Sequence, residues 1–332
     1  MTTTPTSNRN HASRWAGRIV FRRAGAALVL LVVVLGTGGC AEGPRAEPGA
    51  RSPQPLPVDC TARVSDSASL RRALESAAPG DRVCVTGNLG AARLAVTRSG
   101  TPERPIEVLG DGRSTVAGIT INADHVLVRG FTVVGAHAPG VWMRGTGITV
   151  ENNTVIHPTG DDFDGIRFFG TDLKILYNTV SDISPDGSDA HADCMQSFAT
   201  GPNSHLPNTG PSQHVLIDGN RCERIDNQCL IVEGPFSSAG DGSREGRTSD
   251  IRFTNNYCDA HASQAVWLDD VRNAVLEHNE IDAGVLKAFA LANNSSGATI
   301  SGNDISPQIT DEVSMDQSSQ FDYHGPTPHG KP

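Results

Sequence analysis

GITVENNTV, at residues 147–155, is one of seven stretches of this chain that share a single pattern. The other six are HVLVRGFTV (125–133), DLKILYNTV (172–180), HVLIDGNRC (214–222), DIRFTNNYC (250–258), NAVLEHNEI (273–281) and GATISGNDI (297–305). The first stretch along the chain has Phe131 where the others have an asparagine, namely Asn153, Asn178, Asn220, Asn256, Asn279 and Asn303. Apolar residues that alternate and end at a turn residue predict short strands. Because the shortest spacing between these positions is 22 to 25 residues, we expect the strands to stack as coils.

A second strand is expected about ten residues after most of these positions. Its segments are Val141-Trp142-Met143, Ile166-Arg167-Phe168, Met195-Gln196-Ser197, Leu230-Ile231-Val232, Val266-Trp267-Leu268 and Phe289-Ala290-Leu291. The pattern predicts an all-β fold, a single-stranded right-handed parallel β-helix (solenoid) over residues 58–308, with the asparagines stacked as a structural ladder. Ser67 to Ala78 has helical periodicity and stops before Pro79, which predicts an N-terminal α-helical cap over the first coil.

The beginning of the chain resembles an export signal. A basic stretch without acidic residues precedes the apolar run from Ala24 to Leu35, and small residues then lead to Cys40. Residues 1–39 are therefore predicted to be a lipoprotein-type signal peptide, with Cys40 lipidated and the exported protein anchored to the outer side of the cell membrane. An ordinary cleaved signal with an incidental cysteine is the alternative. Residues 40–57 are expected to form a flexible tether, and residues 309–332 a disordered tail.

Composition excludes several classes of function. The 332 residues are 37% hydrophobic and 5% aromatic, and the formal net charge is −10. An acidic chain is a poor partner for nucleic acid phosphates, and the chain carries neither G-x-x-x-x-G-K-[ST] nor G-x-G-x-x-G. We expect a monomer that binds no nucleic acid.

SLRRALESAAPGDRVCV (69–85), followed by SGTPERPIEVLGDG (99–112) and the N-x-V coils, resembles the pectate-lyase-like right-handed parallel β-helix superfamily. The opening is most similar to its chondroitinase and alginate-lyase branch, in which a capping helix and a PGD turn precede a GT…PI strand. The resemblance covers roughly residues 60–308 and implies a fold more than a reaction, because the superfamily includes lyases, hydrolases, epimerases and non-catalytic stalks.

Six cysteines remain after Cys40, an even number that suits an exported, disulfide-bonded fold. Cys60 and Cys84 bracket the capping helix and are expected to pair. Stacked coils lie about 4.8 Å apart, within the Cα separation that disulfides tolerate. This spacing predicts bridges between Cys222 and Cys258 and between Cys194 and Cys229, which occupy equal positions in neighbouring coils. Buried unpaired thiols are the alternative.

Insertions place the working surface over the second strand. Two neighbouring coils carry longer loops after it (199–213 and 235–249), and the segments before it, HPTGDDFD and SDISPDGSDAHAD, are rich in Asp and His. Equal offsets from successive strands predict one column of Asp162, His191 and Asp226 and another of Asp164, Asp193, Gln228, Gln264 and Lys287. The outward residues expected to bind substrate are Trp142, Gln196, Glu233, Trp267 and Asp269, since rings stack on sugars and polar groups bind hydroxyls.

Three functions fit this surface. A lyase acting on a uronic-acid-containing glycan would use Ca²⁺ held by Asp162, Asp164, Asp193 and Asp226, with Asp193, His191, Arg167 and Lys287 as catalytic residues. An inverting glycoside hydrolase would use paired carboxylates without a metal. A solvated acidic edge on a carbohydrate-binding or structural solenoid is the third possibility. The lyase is the leading prediction, with a polysaccharide as the partner.

Replacing Cys40 by Ser tests the anchor. If Cys40 carries lipid, the Cys40→Ser protein should be released into the medium or remain unprocessed, because the lipid supplies its membrane affinity. Membrane partition and gel mobility are the measurements. A variant that partitions and migrates like the wild type would show that Cys40 is not lipidated.

Overall fold

The computed structural model describes residues 47–160, 162–185, 187–188, 190–200, 209–237, 247–330 and 332. The chain divides into two compact units, Met1–Arg45 and Ala46–Pro332, and the second contains the whole described fold. The predictions for the leader and for Cys40 lie outside the described residues. No helix in the described ranges has both the length and the apolar character needed to cross a membrane.

The described strands pair in parallel from each coil to the next and form three stacks. Stack A precedes the asparagine corner and contains β1 (Ala62–Val64), β2 (Arg82–Val85), β4 (Ile106–Val116), β6 (Val126–Val134), β8 (Thr149–Glu151), β10 (Ile166–Leu176), β13 (Gln213–Asp218), β16 (Thr248–Thr254), β20 (Val275–Glu277) and β23 (Thr299–Ser301). Stack B follows the corner and contains the ends of β4 and β6 with β9 (Thr154–Ile156), β11 (Thr179–Ile183), β14 (Arg221–Ile225), β17 (Tyr257–Ala260), β21 (Glu280–Ile281) and β24 (Asp304–Ile305).

Stack C is the predicted second strand. It contains β3 (Arg93–Val96), β5 (Gly118–Asn122), β7 (Val141–Thr146), the start of β10, β12 (Met195–Phe198), β15 (Leu230–Glu233), β18 (Gln264–Asp269), β22 (Lys287–Ala292) and β25 (Asp311–Met315). A short strand, β19 (Val271–Arg272), pairs with the start of β16. The predicted parallel β-helix is therefore confirmed.

The interior is a continuous apolar column. Val141, Ile166, Met195, Leu230 and Val266 lie in register on successive rungs of stack C, and all five are fully buried. Rungs about 4.8 Å apart bring such side chains into direct contact along the axis. Burial of apolar surface stabilises the fold by roughly 25 cal/mol per Å².

The asparagine ladder forms as predicted. Asn178 illustrates each step: its Oδ1 accepts the N–H of Asn153 at 3.0 Å, and its Nδ2 donates to the Val150 carbonyl at 3.0 Å and to Asn220 Oδ1 at 3.0 Å. Equivalent backbone-to-Oδ1 bonds connect every step from Phe131 to Asn303. The ladder thus provides partners for the buried amide groups at the corner between stacks A and B.

The capping helix α1 (Ser67–Ser76) also agrees with the prediction. Asp66 caps it by accepting the N–H groups of Ala68 and Ser69 at 3.0 and 2.9 Å, and the helix buries Leu70 and Leu74. Contacts with β1, β2 and β3 place α1 against the first coil.

Three disulfides form, and two of the predicted pairings are wrong. Cys60–Cys84 is confirmed, but the others are Cys194–Cys222 and Cys229–Cys258, with Cα separations of 5.9 Å. In cysteines at equal positions of neighbouring coils the Cα–Cβ bonds are parallel, so the two Cβ atoms lie about one rung apart, ~4.8 Å. Disulfide bonds normally have Cβ atoms about 3.5–4.5 Å apart. The bonds instead cross the interior, from the start of stack C to stack B of the next coil.

The segment predicted to be a flexible tether is attached to the solenoid over its described part. The Gly49 N–H donates to the Gly219 carbonyl at 2.8 Å, and the Ala50 N–H donates to Thr179 Oγ1 at 2.9 Å. The Arg51 guanidinium lies 3.4 Å from the ring centroid of Tyr177. These contacts hold the segment along the asparagine corner and correct the prediction of a free linker.

The predicted disordered tail is also ordered over its described part. It begins with β25 on the last rung of stack C and continues in a 3₁₀ helix over Gln317–Gln320. His324 then pairs with Thr299 of β23 as a further rung of stack A. The prediction failed because residues 309–332 contain no asparagine, so the corner motif that identifies the earlier coils does not recur there.

Asn178→Ala tests the ladder. The substitution removes the buried partners of two donors on Asn153, and each unsatisfied buried group is destabilising by about 1–3 kcal/mol. We expect the free energy of unfolding to fall by about 3 kcal/mol or more, measured by chemical denaturation. Thr154→Ala on the outer face of stack B is the control and should change it by less than about 0.5 kcal/mol. Equal effects of the two substitutions would contradict a stabilising ladder.

Candidate functional site

The candidate site lies on the outer face of stack C. Trp142, Arg167, Gln196, Ile231 and Trp267 occupy one column in parallel register, as the sequence predicts. Three residues of the next outward column are Phe198, Glu233 and Asp269. We call this outer face of β7, β10, β12, β15 and β18 the groove, although the two long loops beside it lie partly outside the described residues.

Arg167 is held by two aspartates. Its Nε donates to Asp164 Oδ2 at 2.6 Å, and its Nη2 donates to Asp162 Oδ2. The guanidinium also lies 5.6 Å from the ring centroid of Phe198. Asp164 is fully buried, whereas the Asp162 side chain is 47% exposed. Arg167 therefore forms part of the groove floor, and two of its donors are already used.

Asp164 and Asp193 form a short ladder of buried carboxylates. Asp164 Oδ1 accepts the N–H of Asp193 at 3.0 Å, and Asp193 Oδ1 accepts the N–H of Gln228 at 2.9 Å. Burial raises the pKa of Asp164 to about 7, with a further increase from the negative charge of Asp193. Burial also raises the pKa of Asp193, against the opposing effect of its hydrogen bond with His191. Both carboxyl groups are buried, and each bonds a side chain nearer the surface: Asp164 bonds Arg167, and Asp193 bonds His191.

His191 is the exposed partner of this ladder. Its Nδ1 lies 3.3 Å from Asp193 Oδ2, and its side chain is 52% exposed. The hydrogen bond with Asp193 raises the pKa of His191 to about 9 in spite of partial desolvation. At neutral pH the groove therefore presents an imidazolium whose Nδ1 side is held by a buried carboxylate.

Glu233 is the second titratable group that faces the groove. Burial raises its pKa to about 7, and the charge of Asp269 raises it further, while the charge of His191 acts in the opposite direction. Asp269 is itself buried and accepts a hydrogen bond from Asn293 Nδ2 at 2.7 Å. Glu233 lies on β15, the strand that pairs with β12, and His191 precedes β12 in the chain.

An aromatic cluster supports this surface. The Trp142 and Phe169 ring centroids are 4.7 Å apart, and those of Phe169 and Phe198 are 5.1 Å apart in an edge-on arrangement. Phe169 is fully buried, whereas Trp142 and Trp267 each keep part of their ring exposed. Both tryptophans thus lie partly exposed on the outer face of the groove, and their stacking on sugar rings stays a prediction.

Two glutamine oxygens in the same region have no hydrogen-bond partner. Gln196 Oε1 and Gln228 Oε1 are both buried, and no donor among the described residues reaches either oxygen. Gln196 neighbours Arg167 and Ile231 in register, and Gln228 follows Asp193 in the carboxylate ladder. Buried acceptors are normally satisfied, so these two mark positions where a ligand or water donor fits.

Other predicted residues do not join this cluster. Asp226 is exposed, and its backbone N–H donates to the Ile183 carbonyl at 2.9 Å. Lys287 pairs with Gln264 on β18, three rungs or about 14 Å from Asp193. Gln196 and Asp269, predicted to bind substrate, are 4% exposed and lie in the floor rather than at its surface. The loops that precede the strands of stack C differ in length, so an equal offset from the strand does not bring Asp226 into one column with Asp162 and His191.

Three of the four predicted calcium ligands form hydrogen bonds with cationic side chains of the protein. Asp162 and Asp164 bond Arg167, and Asp193 bonds His191. No group of three or more His, Cys, Asp or Glu side chains is arranged for a metal ion within the described ranges. A cation at this position would have to displace Arg167, and calcium binding stays a prediction.

The sequence predicts which of most of these residues share a column, but it does not predict how deeply each side chain is buried. It gave no sign that Asp164 and Asp193 are buried while Asp162 and His191 remain accessible. The sequence analysis also assigned Glu233 to substrate binding and not to proton transfer. A role in proton transfer depends on the pKa of Glu233, which is raised by burial and by Asp269, and burial could not be predicted from the sequence. The one feature of the sequence that could have indicated burial of this column is Gln228, an uncharged residue in the same column as Asp164 and Asp193.

Comparisons with known proteins agree with this architecture. The family profile described as "Right handed beta helix region" matches residues 117–305. No curated protein sequence matches the chain significantly. The crystal structure of an alginate lyase from Paenibacillus sp. str. FPU-7 is similar with a TM-score of 0.51 and 16% identity, over 80% of this chain and 99% of that one. The PL6-family alginate lyase AlyGC gives a TM-score of 0.44 and 13% identity, over 73% of this chain and 40% of that one.

Asp193→Asn tests the pairing that holds His191. In the folded wild type the pKa of His191 is raised to about 9 from its ordinary value of 6.5, so its stabilising contribution is complete below pH 6.5 and is lost as the pH rises through 9. In Asp193→Asn the histidine pKa should fall toward 6.5, and stability should no longer decline over that interval. Histidine NMR titration and denaturation at several pH values are the measurements. An unchanged His191 titration would contradict the pairing, and the exposed His214 resonance serves as the control.

Proposed function

The chain belongs to the right-handed β-helix family, and we propose that it hydrolyses glycosidic bonds in an extended glycan bound along the groove. The observation that carries the proposal is the hydrogen bond by which the buried Asp193 holds the exposed His191, beside β12, while Glu233 lies on the neighbouring strand β15. One side chain of this pair can donate a proton and the other can accept one, as bond cleavage requires. The β-helix fold supports the proposal by providing a long surface with regularly spaced side chains.

The proposed reaction divides the two proton transfers between these side chains. His191, as an imidazolium, donates its Nε2 proton to the leaving glycosidic oxygen while Asp193 holds the Nδ1 side. Glu233, as a carboxylate, accepts a proton from the water that attacks the sugar carbon, so one C–O bond forms as another breaks. Asp193 does not touch the substrate and acts as a positioning residue. The next cycle begins after His191 regains a proton from solvent and Glu233 loses one.

The tryptophans at the two ends of the groove support an extended substrate. Trp142 and Trp267 are four rungs apart in register, about 19 Å along the axis. Exposed rings stack on the apolar faces of sugars. A glycan of several residues would reach both rings while it lies over Arg167 and Gln196.

The second candidate is β-elimination from a uronic-acid-containing glycan. The exposed imidazolium of His191 favours it, because a cation can neutralise a uronate carboxylate before a base removes the neighbouring proton. Similarity to an alginate lyase supports the same fold without identifying the reaction. Hydrolysis is preferred because Arg167 already bonds Asp162 and Asp164, which leaves the groove short of free positive charge.

We also propose that the enzyme works outside the cell, attached to the membrane through Cys40. The basic and apolar leader supports export. Three disulfides support an oxidising compartment.

Glu233→Gln tests the proposed chemistry. We expect kcat/KM on the best substrate of a polysaccharide panel to fall by about 100-fold or more, because a general base contributes 10²–10⁴-fold. The wild-type kcat/KM should rise as Glu233 ionises near pH 7 and fall as His191 loses its proton near pH 9. Reducing-sugar release against pH is the measurement.

Asp226→Asn is the matched control, since it neutralises an exposed carboxylate outside the His191 and Glu233 cluster and should leave kcat/KM within about twofold. Ultraviolet absorbance should not accompany the new reducing ends; if it does, the reaction is elimination. Full activity in Glu233→Gln would exclude the proposed mechanism.

A further inference from the structure

We propose that the corner between stacks A and B rests on the membrane, so that the groove on stack C points away from the lipid. The inference rests on the proposed attachment through Cys40 and adds the surface of the solenoid that meets the bilayer. We call this surface the membrane face. It consists of the corner residues directly before the ladder asparagines, which all have positive φ: Asn152, Tyr177, Gly219, Asn255, His278 and Gly302.

The docked N-terminal segment determines where the preceding chain leaves the solenoid. The N–H groups of residues 49–51 bond the Gly219 carbonyl, Thr179 Oγ1 and Asn152 Oδ1 in turn. These three partners lie on successive coils, so the segment runs along the solenoid axis and crosses about one coil per residue. Gly219 follows β13, the seventh strand of stack A. The chain therefore leaves the surface about 29 Å along the axis from β1, beside the middle coils.

Covalent reach keeps Cys40 on the same side. Nine peptide units join Cys40 to Gly49, and they span at most about 32 Å when fully extended. Trp267, in the groove, is twelve residues after Asn255 and eleven before His278, so the groove lies halfway round a coil from the corner. A path of that many residues is about 36–40 Å long. A lipid on Cys40 therefore reaches the membrane face and not the groove.

The chemistry of the membrane face suits a lipid surface. None of its six residues is acidic, although the formal net charge of the chain is −10. Beside it, the Arg51 guanidinium lies 3.4 Å from the ring centroid of Tyr177, and the Arg221 guanidinium lies 4.0 Å from that of Tyr257. Arginine is attracted to anionic headgroups, and tyrosine is enriched at the boundary between membrane and water.

The other corner beside stack A is less suited to lipid. Its residues with positive φ include Asp172, Asp250 and Asp322, and His214 lies between the first two. Carboxylates are repelled by anionic headgroups. Chain reach and charge therefore favour the same face, and this placement leaves the groove open to glycans of the surrounding medium.

Tryptophan fluorescence tests the orientation, because the two tryptophans after Cys40, Trp142 and Trp267, both lie in the groove. The full-length protein would be purified from the membranes of expressing cells and reconstituted in phosphatidylcholine and phosphatidylglycerol vesicles with nitroxide-labelled headgroups, which quench only nearby indoles. We expect severalfold stronger quenching of the emission added by Tyr177→Trp than of the wild-type emission. Phe321→Trp, at an exposed position away from the membrane face, is the control and should be quenched less than Tyr177→Trp.

Gly49→Val separates docking from anchoring. Gly49 has a φ of +116°, and an added Cβ would lie 2.9 Å from Thr179 Oγ1, so valine should release the segment. The tether from Cys40 then extends to Cys60, and the ratio of corner to groove quenching should fall toward one while vesicle binding is unchanged. Gly87→Val is the matched control, since Gly87 has a φ of +87° but no atom within 4 Å of an added Cβ. It should keep the wild-type ratio.

The possible results distinguish the membrane face from the anchor. Equal quenching at the corner and in the groove of vesicle-bound protein, or an unchanged ratio in Gly49→Val, would overturn the membrane face and leave the anchor in place. A wild type that binds vesicles no better than Cys40→Ser would contradict both. The proposed hydrolysis would still be measured on the unbound protein, so its outcome is separate.

Discussion

Parallel registry between coils is the constraint on which the rest of the structure depends. Each rung repeats the last at about 4.8 Å, so residues with equal offsets from successive strands form columns on the surface. The asparagine ladder maintains this registry at the corner between stacks A and B, where every step from Phe131 to Asn303 has a backbone-to-side-chain bond. A change of one residue in a strand would turn its outward side chains inward. Both the core and the groove therefore follow from the same repeat.

Registry also explains which features could be predicted from the sequence. The columns that contain Asp164 and Asp193, and Arg167 and Gln196, follow from counting residues between repeats, and the structure places them as expected. Depth could not be predicted, because burial of Asp193 and exposure of His191 depend on loops that have no repeat. Disulfide pairing failed for a related reason: equal positions predict proximity of Cα atoms, whereas bonding depends on the direction of each Cβ. Asp226 stands apart because the segments before stack C vary in length.

The buried carboxylates give the groove its chemical character. A carboxylate removed from water is unfavourable unless it is bonded, and here Asp164 and Asp193 each accept a backbone N–H and a cationic side chain. They hold Arg167 and His191 at defined positions. The surface that remains for a ligand is thus governed by Glu233, Asp162 and unbonded amide oxygens.

Covalent cross-links reinforce the same coils. Cys194 directly follows Asp193, and Cys229 directly follows Gln228, so each disulfide begins beside a member of the carboxylate ladder. Both bonds lead to stack B of the next coil, across the interior behind the groove. These are also the coils from which the two long loops emerge, and the base of the first loop is closed by the Thr200 and Thr209 pair at 3.2 Å. Closing a long loop has an entropic cost that opposes folding. The disulfides fix the floor where the loops are longest, and a rigid floor would hold His191 and Glu233 in place for the proposed hydrolysis.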